Sequence, residues 1–309
     1  MRKNLLIGAV TNYVWDDIAP FFNSYMQAGF ENCECVMFTG NMSEATLDKM
    51  RSCGVDVRPI PEELLPGRII NTRWKIYADF LKNNPDKYSM VLTADIRDVF
   101  FQQDLFKLCD ASKPFLGIAL EDKLIGECPI DTEWVINAYG NDIYQELKNE
   151  KIICVGTVWG TADEFMKYSQ VMAEILNSEW AAQPHIIEQA IGNYIIYHDK
   201  MFADVLSPSA NDDGCVMTIG STDSKALHID SSGNVLNGKG QIAAVVHQYD
   251  RQPAILDIVV KKYTSSMSAF SRTKLKHTCD SLGRVMRFMS RSHRQGFFHS
   301  ALAAIKRRI

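Results

Sequence analysis

Apolar and polar positions alternate along the first ninety residues in a regular order. Leu5 to Val10 is a short apolar run bounded by polar residues and reads as a buried strand. Val14 to Gly29 follows, with Ile18, Phe21, Phe22, Tyr25 and Met26 at helical spacing. Cys35 to Phe38 predicts a second strand, Ser43 to Cys53 a helix closed by Gly54, and Val55 to Ile60 a third strand. A loop around Pro59, Pro61 and Pro66 leads to a helix from about Ile70 to Asn83, stopped before Pro85, and then to a strand centred on Met90 to Leu92. Strands alternating with helices across short connections predict an α/β chain with a parallel, doubly wound sheet.

Further along, Phe115 to Ala119 and Ile152 to Trp159 predict strands, and Ala162 to Ser178 and His185 to Tyr197 predict helices. From Met217 to Val246 the pattern changes to short strands with turn signals at Ser231-Ser-Gly-Asn234 and Asn237-Gly-Lys-Gly240, which predicts antiparallel hairpins. Residues 1–258 read as one domain and 259–309 as a basic helical tail.

The composition of the 309 residues, 46% hydrophobic and 23% charged, is that of a globular domain. No apolar stretch approaches the ~20 residues needed to span a bilayer. The opening Met-Arg-Lys followed by an apolar run is too short for a secretory leader, and Thr11-Asn12-Tyr13 breaks it. Eight cysteines without a C-x-x-C suit a reducing cytoplasm, with Cys109 and Cys154 as small core fillers. The net charge of −4 conceals an asymmetry: residues 261–309 carry +11 and the remainder −15. Arg284, Arg287, Arg291 and Arg294 at helical spacing, beside Val285, Phe288 and Met289, suit an interfacial helix on an anionic membrane surface, with a basic helix packed on the acidic domain as the alternative. That places the chain in the cytoplasm, peripheral on the inner face of the membrane. The acidic balance of the rest, with no recognition module in it, argues against nucleic acid as a partner.

The candidate chemistry sits at strand ends. Asp95 and Asp98 follow the Met90–Leu92 strand directly, where ligands bind in α/β sheets, and a divalent cation takes oxygen ligands of this kind. An Asp-x-x-Asp in that place also suits a turn or helix cap. His247, after the apolar run Ala243–Val246, is a competent third ligand for Mn²⁺. Asn12 and Tyr13 after the first strand could hydrogen-bond and stack on a nucleobase. Arg73, Trp74 and Lys75 open the helix before the carboxylates, where a cation could pair with Asp98 or meet a sugar or phosphate.

Together these residues resemble a GT-A-fold glycosyltransferase, most closely the family 8 retaining galactosyl/glucosyltransferases. Ala9-Val-Thr-Asn12-Tyr13 is similar to that family's Ala-Ala-Asp-x-Asn-Tyr loop, and Leu92-Thr-Ala-Asp95-Ile-Arg-Asp98 to its metal-binding Asp-x-Asp. Glu188-Gln189-Ala190 resembles its Asp-Gln-Asp, Val155-Gly156 its Asn-(Ala/Ser)-Gly, and His247 to Pro253 its C-terminal His-Phe-x-Gly-x-x-Lys-Pro. Thr11 and Ala190 stand where the family has acids, and the metal motif has one extra residue. The resemblance spans residues 4 to 253. It implies a Mn²⁺ or Mg²⁺ ion on Asp95, Asp98 and His247, and a nucleotide-diphosphate sugar donor, a UDP-sugar in the first place, with its base on Asn12 and Tyr13. It also implies Glu188 and Gln189 near the anomeric carbon and a glycan or lipid-linked acceptor, as in surface polysaccharide synthesis. Retention would use Gln189 or Glu188 against an oxocarbenium-like centre. Inversion would need a base, for which Glu188, Asp212 and Asp213 qualify. A non-catalytic sugar-binding domain and another metal-dependent nucleotide enzyme are the competing readings.

Overall fold

The computed structural model describes residues 2–65, 67–176 and 187–264. Most of the basic tail expected over 259–309 lies outside them, as do Pro66, the end of the helix expected to Ser178 and the start of the one expected from His185.

In chain order the elements are β1 (Lys3–Thr11), α1 (Trp15–Ala28), β2 (Cys33–Gly40), α2 (Glu44–Ser52), β3 (Val55–Pro59), α3 (Ile69–Lys82), β4 (Tyr88–Ala94), β5 (Val99–Phe101) and β6 (Leu116–Leu124). There follow α4 (Pro129–Leu147), β7 (Lys151–Thr161), α5 (Ala162–Leu176), α6 (Glu188–Tyr197), β8 (Leu206–Ser209), β9 (Val216–Thr218), β10 (His228–Ile229), β11 (Val235–Leu236), β12 (Val245–His247) and α7 (Pro253–Tyr263). The first seven reproduce the expected alternation. α7 runs through position 258 and closes on α1, where Asn23 Nδ2 donates to the Tyr263 carbonyl at 2.7 Å.

The main sheet has the order β3-β2-β1-β4-β7-β6-β8. Only β7 runs against the others, so the sheet is mainly parallel and the carboxyl ends of β1, β2, β4 and β6 share one edge. Successive side chains of a strand point to opposite faces, and β1 shows the consequence. Leu5 and Ile7 pack with Trp74, Tyr77, Phe165, Tyr168 and Ile191, from α3, α5 and α6. Leu6 and Val10 pack with Ile18, Phe21, Phe22 and Met50, from α1 and α2. A strand buried on both faces must be apolar throughout, which is why β1 reads as a continuous run rather than an alternation.

The 217–246 region holds the expected hairpin as β10 and β11, turned at Asp230–Asn234 with Gly233 at φ 79. Its outer strands depart from the expectation. β9 and β12 run parallel to each other, and the antiparallel partner of β12 is β5, giving a small sheet β5-β12-β9. That pairing places His247 opposite Val99, next to Asp98. The small sheet thus carries the histidine to the carboxyl edge of β4.

Candidate active site

β4 ends at Ala94, and the Asp95 amide leaves the sheet to donate to the Gly156 carbonyl on β7 at 2.8 Å. Ile96 turns back into the core, so Asp95 and Asp98 are free to face the same side. Just past β12, the backbone amide of Gln248 donates to the Asp98 carbonyl at 2.7 Å, and Gln248 itself takes φ 60. A bulky residue in the left-handed region is strained, and here it turns the chain immediately after His247. One ligand atom from each of Asp95, Asp98 and His247 lies within 4.8 Å of the others.

His247 Nε2 lies 3.6 Å from Asp95 Oδ2 and 3.7 Å from Asp98 Oδ1, beyond hydrogen-bonding range, and has no hydrogen-bond partner although it is buried. Gly156 flanks the group: a Cβ there would come within 2.5 Å of His247 Cε1 and 2.7 Å of Asp95 Oδ2. The side chain of Asp95 is 37% exposed against 9% for Asp98 and 2% for His247, so the group opens to solvent at Asp95. Two carboxylates and an orphaned imidazole nitrogen around a space that no Cβ fills fit a divalent cation such as Mn²⁺ or Mg²⁺.

The electrostatics agree. Removal from water opposes the charge on Asp95, but Arg73 and His247 outweigh it and hold that carboxyl below the usual range. Burial raises the Asp98 carboxyl; His247 pulls it down, while Asp250 and Asp95 add to the rise. Burial works against a charged imidazole at His247, yet Cys154 behind the ring and the two carboxylates before it hold its pKa well above the ordinary value.

Beside it lies a second buried cluster. The Arg73 guanidinium donates from Nη1 to Asp95 Oδ1 at 2.5 Å, from Nη2 to Glu188 Oε1 at 2.7 Å and from Nε to Glu188 Oε2 at 3.1 Å. Nη2 also reaches the Val155 carbonyl at 3.2 Å, and the Trp74 indole N–H donates to Glu188 Oε2 at 2.6 Å. Burial pushes the Glu188 carboxyl up to about 7 against the pull of Arg73. Arg73, Trp74 and Glu188 are thus engaged with one another and with Asp95. Lys75, the third residue of that stretch, pairs instead with Asp79 one turn on, at 2.8 Å.

Asn12 follows β1 at φ 62, donates to Thr11 Oγ1 at 3.1 Å and accepts from Asn41, stitching together the loops after β1 and β2. Burial raises the Tyr13 hydroxyl pKa, with Arg97, Asp98 and Asp95 all close enough to act on it. Half-buried Gln189 donates through Nε2 to Asp131 Oδ1 on α4 at 2.7 Å. Asp212 and Asp213 lie in the exposed loop after β8, where Asp213 pairs with Lys239 at 3.0 Å.

Several residues here escaped the sequence reading. Arg97 bridges Asp98 and Asp250, with Nη2 3.7 Å and 3.1 Å from their carboxylates. Asp131 holds Gln189, and Glu121 is a buried carboxylate raised by burial and by Asp131. Cys154 touches His247, with Sγ 3.2 Å from Nδ1. Nothing local marks them, except that Cys154 immediately precedes Val155-Gly156. A groove of about 440 Å³ between α5 and residues 201–205 contains none of these residues.

No protein-family model matches the chain, and no curated protein sequence does. Solved structures do. The chain is similar to an active-site mutant of LgtC at 12% identity and a TM-score of 0.51, over 87% of this chain and 99% of that one. It is similar to the bifunctional glycosyltransferase WbbM at 11% identity and 0.53, over 88% of this chain and 52% of that one. It is also similar to the glycosyltransferase GlyE of Streptococcus pneumoniae TIGR4 at 12% and 0.50, over 91% and 64%. These neighbours are GT-A glycosyltransferases, and the sheet described above is their fold.

Proposed function

We propose that the chain is a metal-dependent glycosyltransferase that moves a hexose from a nucleotide-diphosphate sugar to a glycan or lipid-linked acceptor. The observation that carries this reading is the orphaned Nε2 of His247 facing Asp95 and Asp98 at the carboxyl edge of a sheet with the glycosyltransferase fold. Mn²⁺ or Mg²⁺ held by these three residues would neutralise charge on the leaving diphosphate.

The chain's own residues take the other tasks. Tyr13 offers a ring beside the carboxylates, and Asn12 offers a polar edge, together a place for the nucleobase of a UDP-sugar. Arg73 keeps Asp95 ionised and, through Glu188, ties α3 to α6. Of the adjacent pair, Gln189 is the one offered to substrate. The hydrogen bonds from Arg73 and Trp74 occupy Glu188, which favours a positioning part over that of acceptor base. The run of basic residues beyond Lys261 supports a lipid-linked acceptor met at an anionic membrane surface, with the protein peripheral on the cytoplasmic side; this rests on sequence composition.

The test is release of nucleoside diphosphate from UDP-, GDP- and TDP-sugars with and without Mn²⁺. The expected result is turnover of one donor, dependent on metal and lost in His247→Ala. Binding of a donor without turnover, in the presence of glycan acceptors, would leave a sugar-binding domain as the better account.

A further inference from the structure

A histidine presents Nε2 to a cation only when Nδ1 carries the proton, and the partner of Nδ1 decides that. Here the partner is a sulfur. Cys154 Sγ lies 3.2 Å from His247 Nδ1, and both residues are 1% exposed. Cys154 and Gly156 both lie on β7, where its pairing with β6 shifts register, and both meet the imidazole of His247. The strand holds the ring at two edges: sulfur at Nδ1, and a bare Cα at Cε1, where a Cβ would intrude to 2.5 Å. At the far edge Nε2 has no partner, and the carboxylate oxygens at 3.6 and 3.7 Å are too distant to accept a hydrogen bond.

We propose that Cys154 is a positioning residue for the metal ligand. Its sulfur accepts the Nδ1–H bond of His247, fixes the tautomer and the ring rotation, and so strengthens the hold of Asp95, Asp98 and His247 on a divalent cation. The proposal rests on the reading that these three residues bind one. It assigns a function to a cysteine whose apolar surroundings alone mark it as core filling. Sulfur is a weak acceptor, so direction rather than strength is its contribution.

The experiment is the Mn²⁺ dissociation constant of the full chain, without nucleotide, measured by paramagnetic resonance of the free ion. The variants are Cys154→Ser, which keeps an acceptor, and Cys154→Ala and Cys154→Val, which remove it, the latter keeping buried bulk. The melting temperature of each metal-free variant serves as the folding control. The expected result is about tenfold weaker binding for alanine and valine, with serine within about threefold of wild type. A wild-type protein that binds Mn²⁺ and alanine and valine variants that match it would overturn the positioning role alone. Equal weakening in all three variants would overturn it too, since serine must rescue. Failure of the wild type to bind Mn²⁺ would overturn the cation reading and this inference with it.

Discussion

Two clusters of buried charge touch at Asp95, and they are built on opposite principles. In the first, Arg73, Trp74 and Glu188 satisfy one another at 2.6 to 3.1 Å, with Arg73 and Glu188 side chains 6% and 7% exposed. In the second, Asp95 and Asp98 stand 3.6 and 3.7 Å from a His247 nitrogen that has no hydrogen-bond partner. Burying charge is costly, and a cluster that saturates its own hydrogen bonds recovers part of that cost within the protein. A cluster that leaves a buried donor or acceptor open carries an unrecovered cost until a ligand meets it. The first cluster therefore reads as scaffold, and the second as the proposed metal site.

The largest effect should come from breaking the scaffold. Arg73→Met leaves Glu188 and Asp95 without their cation and is expected to cost about 3–5 kcal/mol. The loss should be greater at pH 8 than at pH 5. Glu188 already has its folded pKa raised to about 7, so ionising it opposes folding as pH rises above its ordinary carboxylate value. Without Arg73 that opposition grows, and protonation in acid relieves it. Urea unfolding at the two pH values measures this, and an equal loss at both would mean that Glu188 is not the group left unpaired.

A smaller effect is expected from Gly156→Ala, whose Cβ would meet His247 Cε1 and Asp95 Oδ2. Overpacking should cost about 1–3 kcal/mol and displace the ligand set, lowering Mn²⁺ affinity at the same time. Stability lost with affinity unchanged would separate Gly156 from the site.

The smallest effect sharpens the contrast from outside. Glu34 is also saturated, by Lys3 at 2.9 Å, Lys87 at 2.8 Å and the Tyr88 hydroxyl at 2.7 Å, but near the surface. Burial opposes its charge, and Lys87, Tyr88 and Lys3 nonetheless lower its pKa to about 2. A depressed carboxylate adds stability above its unfolded pKa and loses it as pH falls toward the folded value. Glu34→Gln should therefore cost about 1 kcal/mol at pH 7, after screening, and almost nothing near pH 2. Urea melts across that range test it, and a loss independent of pH would point to packing instead.

How much of this the sequence discloses follows from the range of each interaction. β1 through β4 and α1 through α3 were legible because each is a local run with its own caps and breakers, such as Ser43 at the start of α2 and Gly29 after α1. α4 was not. Its apolar positions do not form one stripe, Ile130 and Ile136 face solvent, and Gly140 breaks it at φ 84. β5 escaped because three residues become a strand only through β12, nearly 150 positions on. The same range divides the site. Asp95, Asp98 and His247 could be picked out because they end apolar runs, whereas Asp131, Arg97 and Cys154 acquire their parts only from what folding sets beside them. Arg73 and Trp74 stood out as chemistry-bearing residues, but only the fold shows that both turn inward to Glu188.

The most direct test of the central claim is the melting temperature of wild type and Asp98→Asn with and without Mn²⁺. Ligand at about 100 times its dissociation constant adds ~2.7 kcal/mol, a rise of about 4 °C for a chain of this size. That rise is expected in wild type, larger at pH 8 than at pH 6 because the raised His247 pKa makes protons compete with the ion. No rise is expected in Asp98→Asn, whose metal-free form should melt no lower than wild type, since a buried carboxylate near two others is removed. A wild type unmoved by Mn²⁺, or an Asp98→Asn variant that gains the same shift, would contradict that claim.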